Sequence, residues 1–168
     1  SLVGSEMCIR DSTISGALVL NAGKLDVDQS SMISGALTLG GNASIDVADG
    51  PGHSILIEDD TIASDYRSRV TIDGSETVTF LVPADVLMIN GADGDDTITL
   101  AGMDAEFTAR IVVNGQDGDD TVSALPAFDW DFEARGGNGN DSLAGGDGAD
   151  TINGDAGADV LSGGEGDE

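Results

Sequence analysis

Residues 136–168 read GGNGNDSLA (136–144), GGDGADTIN (145–153), GDAGADVLS (154–162) and GGEGDE (163–168). The period is nine residues, and the last unit stops at its sixth position. Each unit opens on glycine, places an acid sixth (Asp141, Asp150, Asp159 and then Glu168) and, in the complete units, an aliphatic residue eighth. Gly136, Gly137 and Gly139 accept positive φ without a Cβ clash, so a six-residue arc can bend tightly and turn several carbonyls toward one point. The aspartates add carboxylates there. Calcium is a hard cation that takes six to eight oxygens, and carbonyls with carboxylates suit it. The last three residues of each unit read as short strands, with Leu143, Ile152 and Leu161 pointing inward.

The pattern GGxGxDxUx resembles the hemolysin-type (RTX) calcium-binding nonapeptide repeat family. That resemblance implies a parallel β-roll in which two nonapeptides make one turn and calcium sits between the loops of successive turns. It implies that Asp141 and Asp159 share one ion on one side of the roll. Asp150 faces the incomplete last unit on the other, where Glu168 replaces the expected aspartate. The loop residues Gly137, Asn138 and Gly139, and Gly146, Asp147 and Gly148, complete the implied ligand set. The third unit departs from the pattern, with Asp155 at position two and Ala156 at position three.

Two earlier segments carry the same chemistry at longer spacing. GADGDDTIT (91–99) and GQDGDDTVS (115–123) align Asp96 and Asp120 with the sixth position, and apolar strands precede both. Their spacing suits one solenoid coil per repeat with a Gly-Asp turn at one corner; the plainer alternative for GDGDD is a solvated turn between strands. EF-hand loops are excluded, because the glycine at position six and the closing glutamate are missing.

Further back, STISGALVLNAGKLDVD (12–28) aligns with SMISGALTLGGNASIDV (31–47), matching Ile14 to Ile33, Leu18 to Leu37 and Asp26 to Asp46. Short strands follow at 53–59, 69–73 and 77–82, with period-2 alternation and no helical pattern. The expected fold is all-β, a parallel β-solenoid in which β-helix coils of about 19–24 residues run into a calcium-binding β-roll, since stacked coils bury a continuous aliphatic ladder that one coil cannot. The expected organisation is β-helix-like repeats over 13–82, coils with GDGDD turns over 83–135, and β-roll repeats over 136–168.

Residues 1–12, SLVGSEMCIRDS, resemble the translation of a sequencing adapter and are set aside as non-native read-through. On that reading the chain begins inside a longer gene, and the stop within a repeat suggests a second cut. The only cysteine, Cys8, lies in this stretch, so disulfides are not expected. Formal charge is −26 with six Lys and Arg, and from Asn90 onward 19 acids face only Arg110 and Arg135. That acidity argues against nucleic acid, which needs basic residues, and it self-repels unless neutralised. No apolar run reaches the roughly 20 residues of a membrane span.

His53, the sole histidine, reads as an exposed turn residue, and 58–69 as a solvated loop. Trp130 and Phe132 read as packing where the longer coils meet the nonapeptides, with a sugar-stacking platform as the second reading. No GxSxG, HExxH or P-loop motif is present. The functional expectation is therefore calcium binding in a structural, non-enzymatic β-solenoid of a secreted or cell-surface bacterial protein. Its partners would be calcium ions, with cell-surface or extracellular matrix components as a further class. The alternatives are a β-helix polysaccharide lyase or hydrolase, and a carbohydrate- or surface-binding adhesin module.

Overall fold

A computed structural model describes residues 2–3, 6–9, 13–14, 18–27, 32–33, 37–47, 52–60, 62, 66–74, 76–81 and 85–166. Every regular element among them is a strand: β1 (Leu2–Val3), β2 (Glu6–Ile9), β3 (Thr13–Ile14), β4 (Leu18–Val27), β5 (Met32–Ile33), β6 (Leu37–Val47), β7 (Ser54–Asp59), β8 (Arg67–Ile72), β9 (Glu76–Leu81), β10 (Val86–Asp93), β11 (Thr97–Leu100), β12 (Arg110–Asp117), β13 (Thr121–Ala124), β14 (Phe132–Asn138), β15 (Ser142–Ala144), β16 (Thr151–Ala156) and β17 (Val160–Ser162). The protein is all-β, and its sheets are mixed.

From Val86 onward each strand pairs in parallel with its counterpart in the next repeat. One ladder runs β6–β10–β12–β14–β16. The other runs β7–β11–β13–β15–β17. Register alone then stacks like on like. Ile45, Ile89, Val113, Ala134 and Ile152 form one row. Ile55, Ile98, Val122, Leu143 and Leu161 form the second. Side chains alternate sides of a strand, and the buried members of both rows join one hydrophobic core. Leu143 is buried, whereas Leu161, on the last described strand, is 49% exposed because no described strand covers it.

The antiparallel hairpins β7–β8 and β8–β9 depart from the expected stack of parallel coils. Two-residue alternation is the same in both kinds of ladder, so the sequence of 53–82 did not distinguish them. This hairpin also narrows the loop expected at 58–69: Glu58 and Arg69 lie on paired strands and are joined by a 2.7 Å ion pair, while Asp60, Ile62 and Tyr66 lie between the strands. In the first part of the chain, β4 pairs with β6 and β3 with β5 in parallel, joining Ile14 to Ile33, Leu18 to Leu37 and Asp26 to Asp46. A register shift between Asn21 and Gly23 accounts for the change in offset along that pair. Strands β1 and β2, within the adapter-like stretch, pair with β4.

Candidate calcium-binding turns

The turns that lead from β10 to β11, β12 to β13, β14 to β15 and β16 to β17 share one geometry. Positions two and four of each turn have positive φ: Ala92 and Gly94, Gln116 and Gly118, Gly137 and Gly139, Asp155 and Gly157. Position four needs glycine for a further reason. A β-carbon on Gly118 would lie 2.1 Å from the Gly94 carbonyl of the preceding coil. Asp155 keeps the left-handed conformation, with φ 64°, which aspartate tolerates better than most side chains. Gly136 differs from the sequence expectation. It is absent from the positive-φ residues, and its role is instead to leave room for Asp141, whose Oδ2 would be 2.1 Å from an added β-carbon.

Successive turns are tied together by the position-six aspartates. The Asp96 N–H donates to Asp120 Oδ1 at 2.8 Å across 24 residues. The Asp120 N–H donates to Asp141 Oδ1 at 2.8 Å across 21. The Asp141 N–H donates to Asp159 Oδ1 at 3.0 Å across 18. The coil therefore shortens by three residues per step while the turn stays constant. The shortening is shared between the connecting segments 101–109, 125–131 and 145–150 and the strands beside them, β12, β14 and β16 having eight, seven and six residues. A second ladder at position five runs the other way: Asp119 N–H to Asp95 Oδ1, Asn140 N–H to Asp119 Oδ1, Ala158 N–H to Asn140 Oδ1.

His53 heads the inner column. Its N–H donates to Asp96 Oδ1 at 2.6 Å, and its Nδ1 lies 2.9 Å from Asp73 Oδ2. It is buried, with 4% of its surface exposed, which corrects the exposed turn expected from the sequence. Flanking glycine and proline suggested a surface turn, but the backbone N–H caps the aspartate column and draws the ring inside.

Each column aspartate spends one oxygen on this bond. The other oxygen, Oδ2 of Asp96, Asp120 and Asp141, is buried without a hydrogen-bond partner. All three residues are 1% exposed. A buried carboxylate left half unsatisfied is costly, and three in one column are an electrostatic problem. Desolvation pushes Asp120 up to about 7, with the Asp96 and Asp141 charges adding to the shift and the Asp96 N–H opposing it. Burial likewise raises Asp96 and Asp141 above the usual carboxylate range.

The space beside those oxygens is kept open by the position-one glycines. A β-carbon on Gly91 would meet Asp96 Oδ2 at 2.3 Å and the Gly115 carbonyl at 2.8 Å; one on Gly115 would meet Asp120 Oδ2 at 2.1 Å and the Gly136 carbonyl at 2.7 Å. The turns at Gly91 and Gly115 thus combine an orphaned carboxylate oxygen with a main-chain carbonyl from the next coil. That donor set fits a hard cation. Among the described residues no three His, Cys, Asp or Glu side chains cluster as a metal site, so carbonyls would have to supply much of the coordination.

Asp150 stands apart on the opposite loops, with both oxygens engaged: Phe132 N–H donates to Oδ1 at 3.2 Å and Gly146 N–H to Oδ2 at 2.8 Å. Burial raises its pKa as well. Gly146 and Gly148 are buried on that side, where added β-carbons would strike the Phe128 and Trp130 carbonyls. Asp147 is exposed. Asn138 donates from Nδ2 to Asp117 Oδ1 at 2.6 Å, outside the column. Glu168 lies outside the described residues. The sequence reading missed Gly91, Gly115 and His53; the fixed interval of five residues between each position-one glycine and its aspartate was the available signal for the first two.

No curated protein and no solved structure matches the chain significantly. A family model does match part of it, in four copies, over the stretch whose turns have just been described. Residues 135–167 match the model of the RTX calcium-binding nonapeptide repeat.

Proposed function

We propose that the chain is a structural calcium-binding β-solenoid of an exported bacterial protein, and that its calcium turns extend beyond the matched repeats to residues 91–120. The coils of 24, 21 and 18 residues are read as one continuous stack, of which the β-roll is the tightest part. Asp96, Asp120, Asp141 and Asp159 are the carboxylate ligands on one side, with main-chain carbonyls of the glycine turns. Asp150 and Glu168, with loop residues 146–148, belong to the other. Gly137, Asn138 and Gly139 shape the turn before Asp141.

The observation that carries this reading is the column of buried, partnerless oxygens on Asp96, Asp120 and Asp141, each beside a glycine that has no room for a β-carbon. A divalent cation offsets their charge, which no Lys or Arg among the described residues is seen to do. We infer an extracellular setting, where calcium is plentiful enough to fill weak sites with Kd values of about 10⁻⁴–10⁻³ M. Calorimetric titration of the full chain tests the extension. Asp120→Asn keeps the shape but lowers the charge, and it should reduce the number of ions bound. An unchanged isotherm would confine calcium to the matched repeats.

A further inference from the structure

Residues 127–135 occupy the place that a nonapeptide loop occupies one coil later, but with different chemistry. Phe132 donates its N–H to Asp150, 18 residues on. Gly146 packs on the Phe128 carbonyl and Gly148 on that of Trp130. Phe128, Trp130 and Phe132 therefore stand where the regular unit has Gly146, Gly148 and Asp150.

Two of the three rings serve the core. Phe128 is 0% and Phe132 3% exposed, and they meet edge to face with centroids 6.0 Å apart. Trp130 tilts against Phe128 at 5.4 Å and is only partly buried. It lines two open grooves, of about 570 and 470 Å³, which share Trp130 and Asp129. The first also presents Phe107, Arg110, Asp131 and Glu133. Arg110 and Arg135 both pair with Glu133, which holds that carboxyl below its usual range, the Arg135 hydrogen bond contributing most. The groove thus has an indole in its wall beside an ion-paired guanidinium and carboxylate.

We propose that this groove binds a neutral saccharide, with a sugar ring stacked on Trp130 and its hydroxyls held by Asp129, Asp131 and Arg110. An indole offers a broad apolar face, and binding sites combine such a face with a few polar groups that fix orientation. Carboxylates accept from hydroxyls and a guanidinium donates to them. Charge selects the class: Asp129, Asp131 and Glu133 outnumber Arg110 in the first groove and Asp59 adds to the second, so an anionic sugar is repelled.

Trp130 is the only tryptophan, and its fluorescence reports on the groove. The full chain in millimolar calcium is titrated with cellohexaose, maltohexaose, N-acetylchitohexaose and, as the acidic arm, hexagalacturonate. The proposal expects a saturable change with a neutral hexasaccharide, half-complete at about 1 mM or below, and none with hexagalacturonate. Arg110→Gln with Asp129→Ala should weaken it about tenfold, or roughly 1.4 kcal/mol, while circular dichroism and calcium titration stay as in the parent. No saturable change with any neutral sugar, or an undiminished one in the double variant, overturns the site. A response to hexagalacturonate as strong as to the neutral sugars overturns its class.

Discussion

Asp120 shows how one side chain sets the chemistry of a whole turn. Its Oδ1 bonds the coil before it, its Oδ2 is buried beside Gly115, and desolvation leads the shift of its pKa to about 7. In calcium-free solution this shift has a definite sign. An unfolded aspartate titrates near 3.9, so between about pH 4 and about pH 7 the folded coil binds more protons than the unfolded chain. Its stability contribution is then complete below the unfolded value and is lost as pH rises through the folded one. Thermal melts in calcium-free buffer should show a Tm that falls from about pH 4 upward until no transition is left near neutral pH; a Tm that climbs with pH would contradict the burial described. Glycine substitutions make a second residue-scale test. Gly115→Ala would force a β-carbon against Asp120 Oδ2 and the Gly136 carbonyl, an overpacking that costs about 1–3 kcal/mol. Gly102→Ala, with nothing within 4 Å and no positive φ, should stay within about 0.5 kcal/mol of the parent. Chemical denaturation of both variants in calcium measures the difference. Within the matched repeats, Asp141→Ala and Asp159→Ala should weaken the same ion and the exposed Asp155→Ala much less. Equal calcium loss in all three, by calorimetry, would dissolve the column.

At the scale of elements, the ladders rest on a few rows of aliphatic residues and on the aromatic triad. Phe128 is completely buried under the grooves, and Phe128→Ala should cost about 3–5 kcal/mol. Leu161→Ala, at the half-exposed end of its row, should cost far less. Comparable losses for the two, measured by denaturant midpoint, would show that the rows do not carry the fold. These elements differ in how plainly the sequence announced them. The recurring glycine–aspartate–aliphatic pattern marked the strands after Val86, at nine residues from Gly136 onward and at 24 and 21 before it, and parallel register follows from the repeat. The antiparallel pairing of β7, β8 and β9 was not legible, since alternation gives burial without strand direction. His53 was misread for a related reason: its bond to Asp96 spans 43 residues, and no local pattern records it. The aspartates were legible as ligand types, but the single oxygen each leaves free became visible only once the inter-coil hydrogen bonds were traced.

For the whole molecule the governing fact is charge. The chain carries −26, the described strands stack acids directly over acids, and calcium is the agent proposed to make that stack stable. Ligand that binds the folded state alone shifts folding by mass action, so metal and fold should be gained and lost together. The isolated 136–168 stretch should remain unstructured even with calcium: one row is reduced to Ile152 and the other to Leu143 and the half-exposed Leu161, and the stretch makes fewer than two 18-residue coils, where solenoids need about three stacked units. Cooperative folding of that peptide on adding calcium would make the repeats autonomous. The most direct test is far-ultraviolet circular dichroism of the full chain at neutral pH, first in excess chelator and then with calcium restored. The account predicts a largely disordered spectrum that converts to β structure on calcium and reverts on chelation; a β spectrum indifferent to both additions would contradict it.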